Sequence, residues 1–305
     1  MIVSDELFTP MRKDNLSAEA IVRPQLTYWQ EAWLRLRGNK LALAGLVIII
    51  ILGVMAIAGP IISPHDYAKQ SMITKNQPPS AENWFGTDDF GRDVFTRVWH
   101  GARISLFVGL MAALIDFFIG VLYGGIAGYL GGRVDNIMMR FVDILYGLPY
   151  LLVVILLMVV MGSGLVTIIV ALSATGWIGM ARTVRGQVLQ MKNSEYVLAA
   201  KTMGAKPFYI VRKHLLPNTI GIIIVYVTLS VPSAIFAEAF LSFLGLGIQA
   251  PMASWGTMAN DGLPTILSGH WWRLFFPAFF ISLTMLAFNV LGDGLRDAFD
   301  PKTRR

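Results

Sequence analysis

Two carboxylates stand where charge is costly. Asp116 falls inside an apolar run from 104 to 130, and Glu238 inside another from 218 to 247, six residues past Pro232. An ionisable side chain in such a run either lines a polar pathway or is held by hydrogen bonds that fix helix packing. As pathway groups the pair would meet a substrate's charged ends or its waters; as packing groups they would bond to backbone or hydroxyls. Counted at about 1.5 Å per residue, they lie at different depths, Asp116 near mid-span and Glu238 in the outer half, which argues against a catalytic acid–base pair. A third acid, Asp143, lies close to Arg140 and reads as a surface pair.

Other chemistries are missing their residues. The four histidines, His65, His100, His214 and His270, are scattered without ligand spacing, so no metal site is expected. The absence of cysteine removes thiolate catalysis and disulfides. No lysine follows a glycine, so the phosphate-cradling GxxxxGK[ST] loop is absent and the chain is expected not to hydrolyse ATP. With no nucleophile elbow and no HExxH helix, a membrane enzyme lacks its motifs.

The elements that position Asp116 and Glu238 are membrane helices. Of 305 residues, 55% are hydrophobic and 14% charged, against about 25% charged in a soluble domain. Six apolar segments are long enough to span a bilayer: 41–62, 104–130, 141–162, 165–181, 218–247 and 274–292. The fold class is therefore all-α and polytopic, with six transmembrane helices. The first span follows about forty residues of charged chain and reads as a retained anchor, not a signal peptide. Segments 1–40, 131–140, 182–217 and 293–305 hold 19 of the 25 basic residues, which places both termini in the cytoplasm. The net charge of +6 then follows from topology and gives no support to nucleic-acid binding.

This divides the chain into a cytoplasmic segment 1–40, a first span 41–62, an external loop 63–103, a five-helix core 104–292 and a cytoplasmic tail 293–305. Leu26, Trp29, Trp33 and Leu36 fall near one helical face and suggest a helix lying in the inner interface, or else a simple extension of the first span. In the outer stretch 248–273, Trp255, Trp271 and Trp272 read as an aromatic belt, the last two as membrane anchors. Glycines in YGGIAGYLGG at the end of the second span permit close helix approach. No internal repeat suggests a two-fold carrier.

One polar stretch interrupts the oil. In EYVLAAKTMGAKPFYIVRKHLLPN, residues 195–218, Asn193 or Ser194 can cap a helix that begins with Glu195 and stops at Gly204. Pro207 suits the first turn of a second helix, which Pro217 would end. Glu195 and Ala199 share a face, with Ala200 beside them, leaving a low, smooth surface near Gly204 for another backbone. The same pattern also fits a hairpin folded back on its own bundle.

The order Glu195, Ala199, Ala200, Gly204, Leu216, Pro217 resembles the EAA loop of binding-protein-dependent ABC transporter permeases. WFGTDDFGRDVFTRVWHGARISL (84–106), GGRVDNIMMRFVDILYGLP (131–149), AEAFLSFLGLG (237–247), ASWGTM (253–258) and GDGLRDAFDP (292–301) extend the likeness from about residue 28 onward. They are similar to the second permease subunit of the peptide and nickel importers, oligopeptide importers foremost and dipeptide importers next. The resemblance implies a type I ABC importer permease fold in a bacterial cytoplasmic membrane. It implies a second homologous permease, two ABC ATPases carrying ATP and magnesium, and an extracytoplasmic peptide-binding protein as partners, and no cofactor in this chain.

The six EAA residues would then meet the ATPases across hairpin 193–217. Asp116 and Glu238 would line the pathway, and Asp88, Asp89, Arg92 and Trp255 would meet the binding protein. Dipeptide, glutathione or nickel-chelate cargo stays open at this stage. An ion-coupled carrier is the rival class; it would transport without ATPases.

Overall fold

The computed structural model describes residues 26–300; the opening segment 1–25 and residues 301–305, both assigned above to the cytoplasm, lie outside the described residues. Among those described, the regular structure is helical, apart from one isolated bridge between Thr87 and Asp93. Among the described residues five helices are long and apolar enough to cross a membrane, and a sixth span is counted when one bent helix pair is taken together. The all-α polytopic fold class stands; several span boundaries move, each for a local reason.

Helix α1 (Tyr28–Gly38) opens with a capping box, in which Thr27 N–H donates to Gln30 Oε1 at 2.9 Å and Gln30 N–H to Thr27 Oγ1 at 3.4 Å. It does not run on into the first span. Asn39 leaves the helical conformation, ends α1 and caps α2 (Lys40–Ile62) by accepting from Ala42 N–H. Pro60, inside α2, has no N–H for the Ala56 carbonyl. Arg103 of the next helix donates to that oxygen instead, Nε to O 2.5 Å.

The following loop ends ten residues earlier than its apolar count suggests. Asp93 accepts from Thr96 N–H at 2.8 Å and starts α3 (Val94–Leu130), whose first turns bury Val94, Val98, Trp99 and Ala102 in a cluster with Trp255 and Trp272. At about 1.5 Å per residue, α3 is roughly 55 Å long, so it projects beyond a hydrocarbon core of about 30 Å. Segment 141–162 is not one straight span. Helices α4 (Gly132–Tyr146) and α5 (Tyr150–Met161) meet at 82°, because Pro149 disfavours helical backbone at Leu148.

Helix α6 (Leu165–Met191) runs ten residues past the expected 181. Its extension carries Arg185, which grips Asp135 of α4 with two bonds of 2.5 and 2.7 Å. It also carries Arg182, which takes Asp143 at 2.7 Å and stacks over Tyr146. Asp143 therefore pairs with Arg182, not Arg140, since the planar guanidinium satisfies a carboxylate and an aromatic face together.

Short helices α7 (Glu195–Thr202) and α8 (Pro207–Ile210) follow, then a π-helical turn over 211–215, then α9 (Leu216–Phe243). Helix α10 (Trp255–Gly262) caps the end nearest loop 63–93, and α11 (Trp272–Phe299) returns along α2 and α9. Pro217 does not end the hairpin's second helix. Helical structure is continuous from Pro207 to Phe243, because the π turn lets Leu216 N–H reach Val211 O before the proline, and Asn218 Nδ2 bonds the His214 carbonyl at 2.6 Å.

The tightest seam joins α3 to α6. Gly120, Gly124 and Gly128 repeat at four-residue intervals on one face of α3. A Cβ at Gly120 would lie 2.6 Å from Met180 Cβ, one at Gly128 2.9 Å from the Arg185 carbonyl, and one at Gly124 would strike the Ala181 carbonyl. The glycines thus let two backbones touch, the contact that drives helix association in lipid where no hydrophobic effect separates helix from solvent. Gly124→Leu is expected to lower stability by about 1–3 kcal/mol through overpacking, read as a lower unfolding midpoint of the purified protein in detergent; an unchanged midpoint would mean the seam is not tight.

Candidate functional site

Two sites emerge, at one end of the bundle and at its middle. The first is the hairpin. Ser194 precedes α7 but does not cap it with its side chain; its hydroxyl donates back to Met191 O at 2.6 Å. Inward, Val197 and Ala200 pack with Val184 and Val188 of α6 and with Ile210 and Leu215. Ala200 therefore faces the bundle and is not part of the outer surface with Ala199.

The turn is a Schellman motif: Ala205 N–H bonds Ala200 O at 3.0 Å, Gly204 N–H bonds Lys201 O at 2.9 Å, and Gly204 sits at φ +81°. No atom lies within 4 Å of where its Cβ would be, so space does not exclude a side chain there; backbone handedness does. Outward, Glu195, Ala199 and Gly204 are exposed beside Met203 (81% exposed) and Phe208 (72%). Leu216 is half-buried and Pro217 exposed on the run into α9. The hairpin thus folds back on its own bundle with one face and leaves the other exposed.

The second site is a cavity of about 570 Å³ between α3, α5, α6 and α9. Asp116, 8% exposed, lines it with Tyr150, Thr175, Gly176, Tyr226, Ser230 and Ser233. Gly176 is required there, because a Cβ would strike the Asp116 carboxylate. Glu238 does not line this cavity. It is fully buried and accepts from Ser242 Oγ at 2.8 Å and Ser105 Oγ at 3.4 Å, while Ser105 also accepts from Trp255 N–H at 3.1 Å. Placing Glu238 on the pathway is corrected: the hydroxyls on α3 and α9 claim its oxygens, and it ties α3, α9 and α10 together.

At the opposite end from the hairpin, loop 63–93 is a folded cap. Asp88 accepts from Phe90 N–H and Arg92 N–H at 2.9 Å and from Arg92 Nε at 2.6 Å, with Arg97 Nε at 3.5 Å. Asn83 Nδ2 bonds Asp93 at 2.9 Å. Buried Arg273 joins Asp89 at 3.0 Å, Asn76 at 3.1 Å and the Asp261 carbonyl at 3.3 Å. Burial pushes the Asp261 carboxyl above its ordinary range, against the pull of the Arg97 guanidinium.

Asp88, Arg92 and Trp255 are buried, so none offers a contact surface as the sequence suggested; Asp89, with a side chain 42% exposed, does. Trp255 Nε1 donates to Val98 O at 2.9 Å and Trp272 Nε1 to Thr87 O at 3.1 Å. Trp272 is therefore a clamp on the cap and not a membrane anchor, since a buried indole N–H needs an acceptor. Sequence reasoning missed Arg273, Arg97, Tyr150 and Tyr226. The i,i+4 spacing of Asp88 and Arg92 was a usable signal for an internal pair; the long-range partners left none. Among the described residues no group of three or more His, Asp or Glu is placed to hold a metal.

Membrane-crossing helices around an open, mainly apolar cavity that holds one buried carboxylate, with an exposed hairpin beyond their ends, mark a polytopic membrane protein. The chain belongs to the family described as binding-protein-dependent transport system inner membrane component, which matches residues 120–305; residues 27–79 match the N-terminal TM domain of oligopeptide transport permease C. It is 72% identical over 303 residues to the dipeptide transport system permease protein of Bacillus subtilis (strain 168), covering 99% of this chain and 95% of that one. Identity to the oligopeptide transport system permease protein of the same organism is 56%, covering 99% of each chain. The oligopeptide counterpart of Escherichia coli (strain K12) is 44% identical over 90% of this chain and 92% of that one. A solved methionine ABC transporter in an inward-facing conformation aligns with TM-score 0.54 at 19% identity, over 66% of this chain and 94% of that chain, which shows the shared fold. The chain is thus a multi-span, non-catalytic transport component.

Glu238→Leu is expected to cost about 2 kcal/mol by leaving the buried Ser105 and Ser242 donors without an acceptor, measured as a lower thermal midpoint of the purified chain; a protein as stable as the parent would return Glu238 to the pathway.

Proposed function

We propose that this chain is the second permease subunit of an ATP-driven, binding-protein-dependent importer of oligopeptides, and that its 193–217 hairpin takes up the motion of two partner ATPases. The observation that carries the reading is the hairpin's attachment. Its first leg packs through Val197 and Ala200 on α6, and its second continues without a break into α9. Those two helices are walls of the cavity that holds Asp116. A push on the exposed face of Glu195, Ala199, Met203 and Gly204 therefore moves two cavity walls together. ATP and magnesium act on the ATPases; this chain supplies half of the pathway, and a homologous permease supplies the other half.

The excess of Lys and Arg at the hairpin end supports an orientation with the hairpin and both termini in the cytoplasm and cap 63–93 outside. On that side Asp89 and the rim of the cap are available to a peptide-loaded binding protein. The names of the relatives at 56% and 44% identity support oligopeptide cargo. A dipeptide reading is favoured by one specific observation, the 72% identity to a dipeptide permease. Both readings share a backbone-bearing cargo with a free amino end.

The test is the assembled importer in proteoliposomes, fed labelled trialanine or dialanine. Gly204→Val forces a β-branched residue into left-handed backbone, and Glu195→Lys reverses a charge at the helix start. Each variant is expected to insert and assemble yet lose at least about tenfold in uptake per ATP hydrolysed. Uptake unchanged in both would remove the hairpin from coupling. Transport by this chain in vesicles without ATPases would establish the ion-coupled carrier instead. The ratio of trialanine to dialanine uptake separates the two cargo readings.

A further inference from the structure

The cavity's hydrogen-bonding polarity is lopsided. Ser230 Oγ donates to Val227 O at 2.8 Å and Ser233 Oγ to Leu229 O at 3.2 Å. Their single protons are spent on the α9 backbone, so both hydroxyls offer the cavity only lone pairs. Asp116, more than nine-tenths buried, has an Oδ1 without a hydrogen-bond partner, as does the neighbouring Tyr150 hydroxyl. Among the described residues, no lysine, arginine or histidine lines the cavity. Gly176 leaves room on α6 for the Asp116 carboxylate, which lies where a side chain would otherwise be. Tyr150, Thr175 and Tyr226 add hydroxyls that can donate or accept, so the site presents one carboxylate, two acceptor-only hydroxyls and three adaptable ones, and its single fixed charge favours a compact cation rich in donors. A primary ammonium, with three N–H donors and no acceptor, has that chemistry.

We propose that this cavity binds a primary ammonium group against Asp116, and that in the working importer it receives the free amino end of a peptide in transit. The owner of the amine rests on the peptide reading above; the ammonium site itself does not. Ser230 and Ser233 accept two of the ammonium protons, and Asp116 takes the third and the charge. The apolar wall formed by Ala112, Leu172 and Leu229 passes side chains without selecting among them. Asp116 is then a positioning and specificity residue for the transport path and has no catalytic step.

The chain's lack of cysteine makes the site directly readable. Ala234, on the cavity wall, is replaced in A234C, and the assembled importer in proteoliposomes is treated with cationic aminoethyl methanethiosulfonate or anionic sulfonatoethyl methanethiosulfonate. Adducts on this chain are followed by mass spectrometry. The ammonium reagent is expected to react faster, and Asp116→Asn to reduce the cation-to-anion rate ratio by about tenfold or more, in line with focusing of a charge in a low-dielectric cleft; Asp116→Glu should restore much of it.

A second arm needs no change at Asp116. Millimolar trialanine should slow labelling several-fold, and N-acetyltrialanine should not. Protection by N-acetyl-Ala-Lys-Ala equal to that by trialanine would support the ammonium site while showing that a lysine side chain can occupy it. A rate ratio unmoved by Asp116→Asn, or equal protection by trialanine and N-acetyltrialanine, would overturn the proposal. ATP-driven trialanine uptake in the same vesicles reports separately on the importer reading, which can fail while the rate ratio stands.

Discussion

The bare backbone contact between α3 and α6 is the constraint on which the other features rest. Gly120, Gly124 and Gly128 bring α3 against Met180, Ala181 and Arg185, and Gly176 continues the close approach one level further along α6, where the Asp116 carboxylate takes the space of a side chain. Widening this seam would pull Asp116 out of its setting and tilt Val184 and Val188, the residues on which the hairpin leans. In a bilayer such packing substitutes for the hydrophobic effect, so a row of missing side chains holds together what a row of leucines would hold in water.

The two ends of the bundle are secured by different physics. At the hairpin end α7 leans on the bundle through apolar contacts, Val197 and Ala200 against Val188, Ile210 and Leu215, while Arg185 with Asp135 and Arg182 with Asp143 tie α6 to α4. At the cap end the contacts are polar and dense: Asp88 with Arg92 and Arg97, Arg273 with Asp89 and Asn76, Trp272 with the Thr87 carbonyl, and Glu238 with Ser105 and Ser242. The proposed working stroke lies at the hairpin end, and the hydrogen-bonded cap keeps α3, α9 and α10 in register while it occurs.

Membrane crossing was legible wherever apolar length alone decided it, as in α2 and α11. Helix length was not legible where polar residues carry a helix past its apolar run, as Asp93 does for α3 and Arg182 and Arg185 do for α6. Pro149 and Pro217 carry the same lesson in opposite directions: one breaks a span at 82°, while the other is absorbed by a π turn that no single-residue rule foresees. For the site, Asp116 was visible because a carboxylate in oil is rare. Its company, Tyr150 and Tyr226, was invisible because aromatic residues in an apolar run look like packing. Asp88, Arg92 and Trp255 read as surface because they lie in a loop, and only the tertiary structure shows the loop folded over them.

In the proposed coupling, hairpin and α9 move as one body. Because the chain has no cysteine, spin labels at M203C on the hairpin and F236C on α9, both exposed, report one distance by pulsed electron paramagnetic resonance in the assembled transporter. The same distance distribution is expected in nucleotide-free and ATP-trapped states, while the transporter as a whole changes between them. A shift of about one helical turn, roughly 5 Å, would place a hinge in the π turn at 211–215 and contradict that coupling.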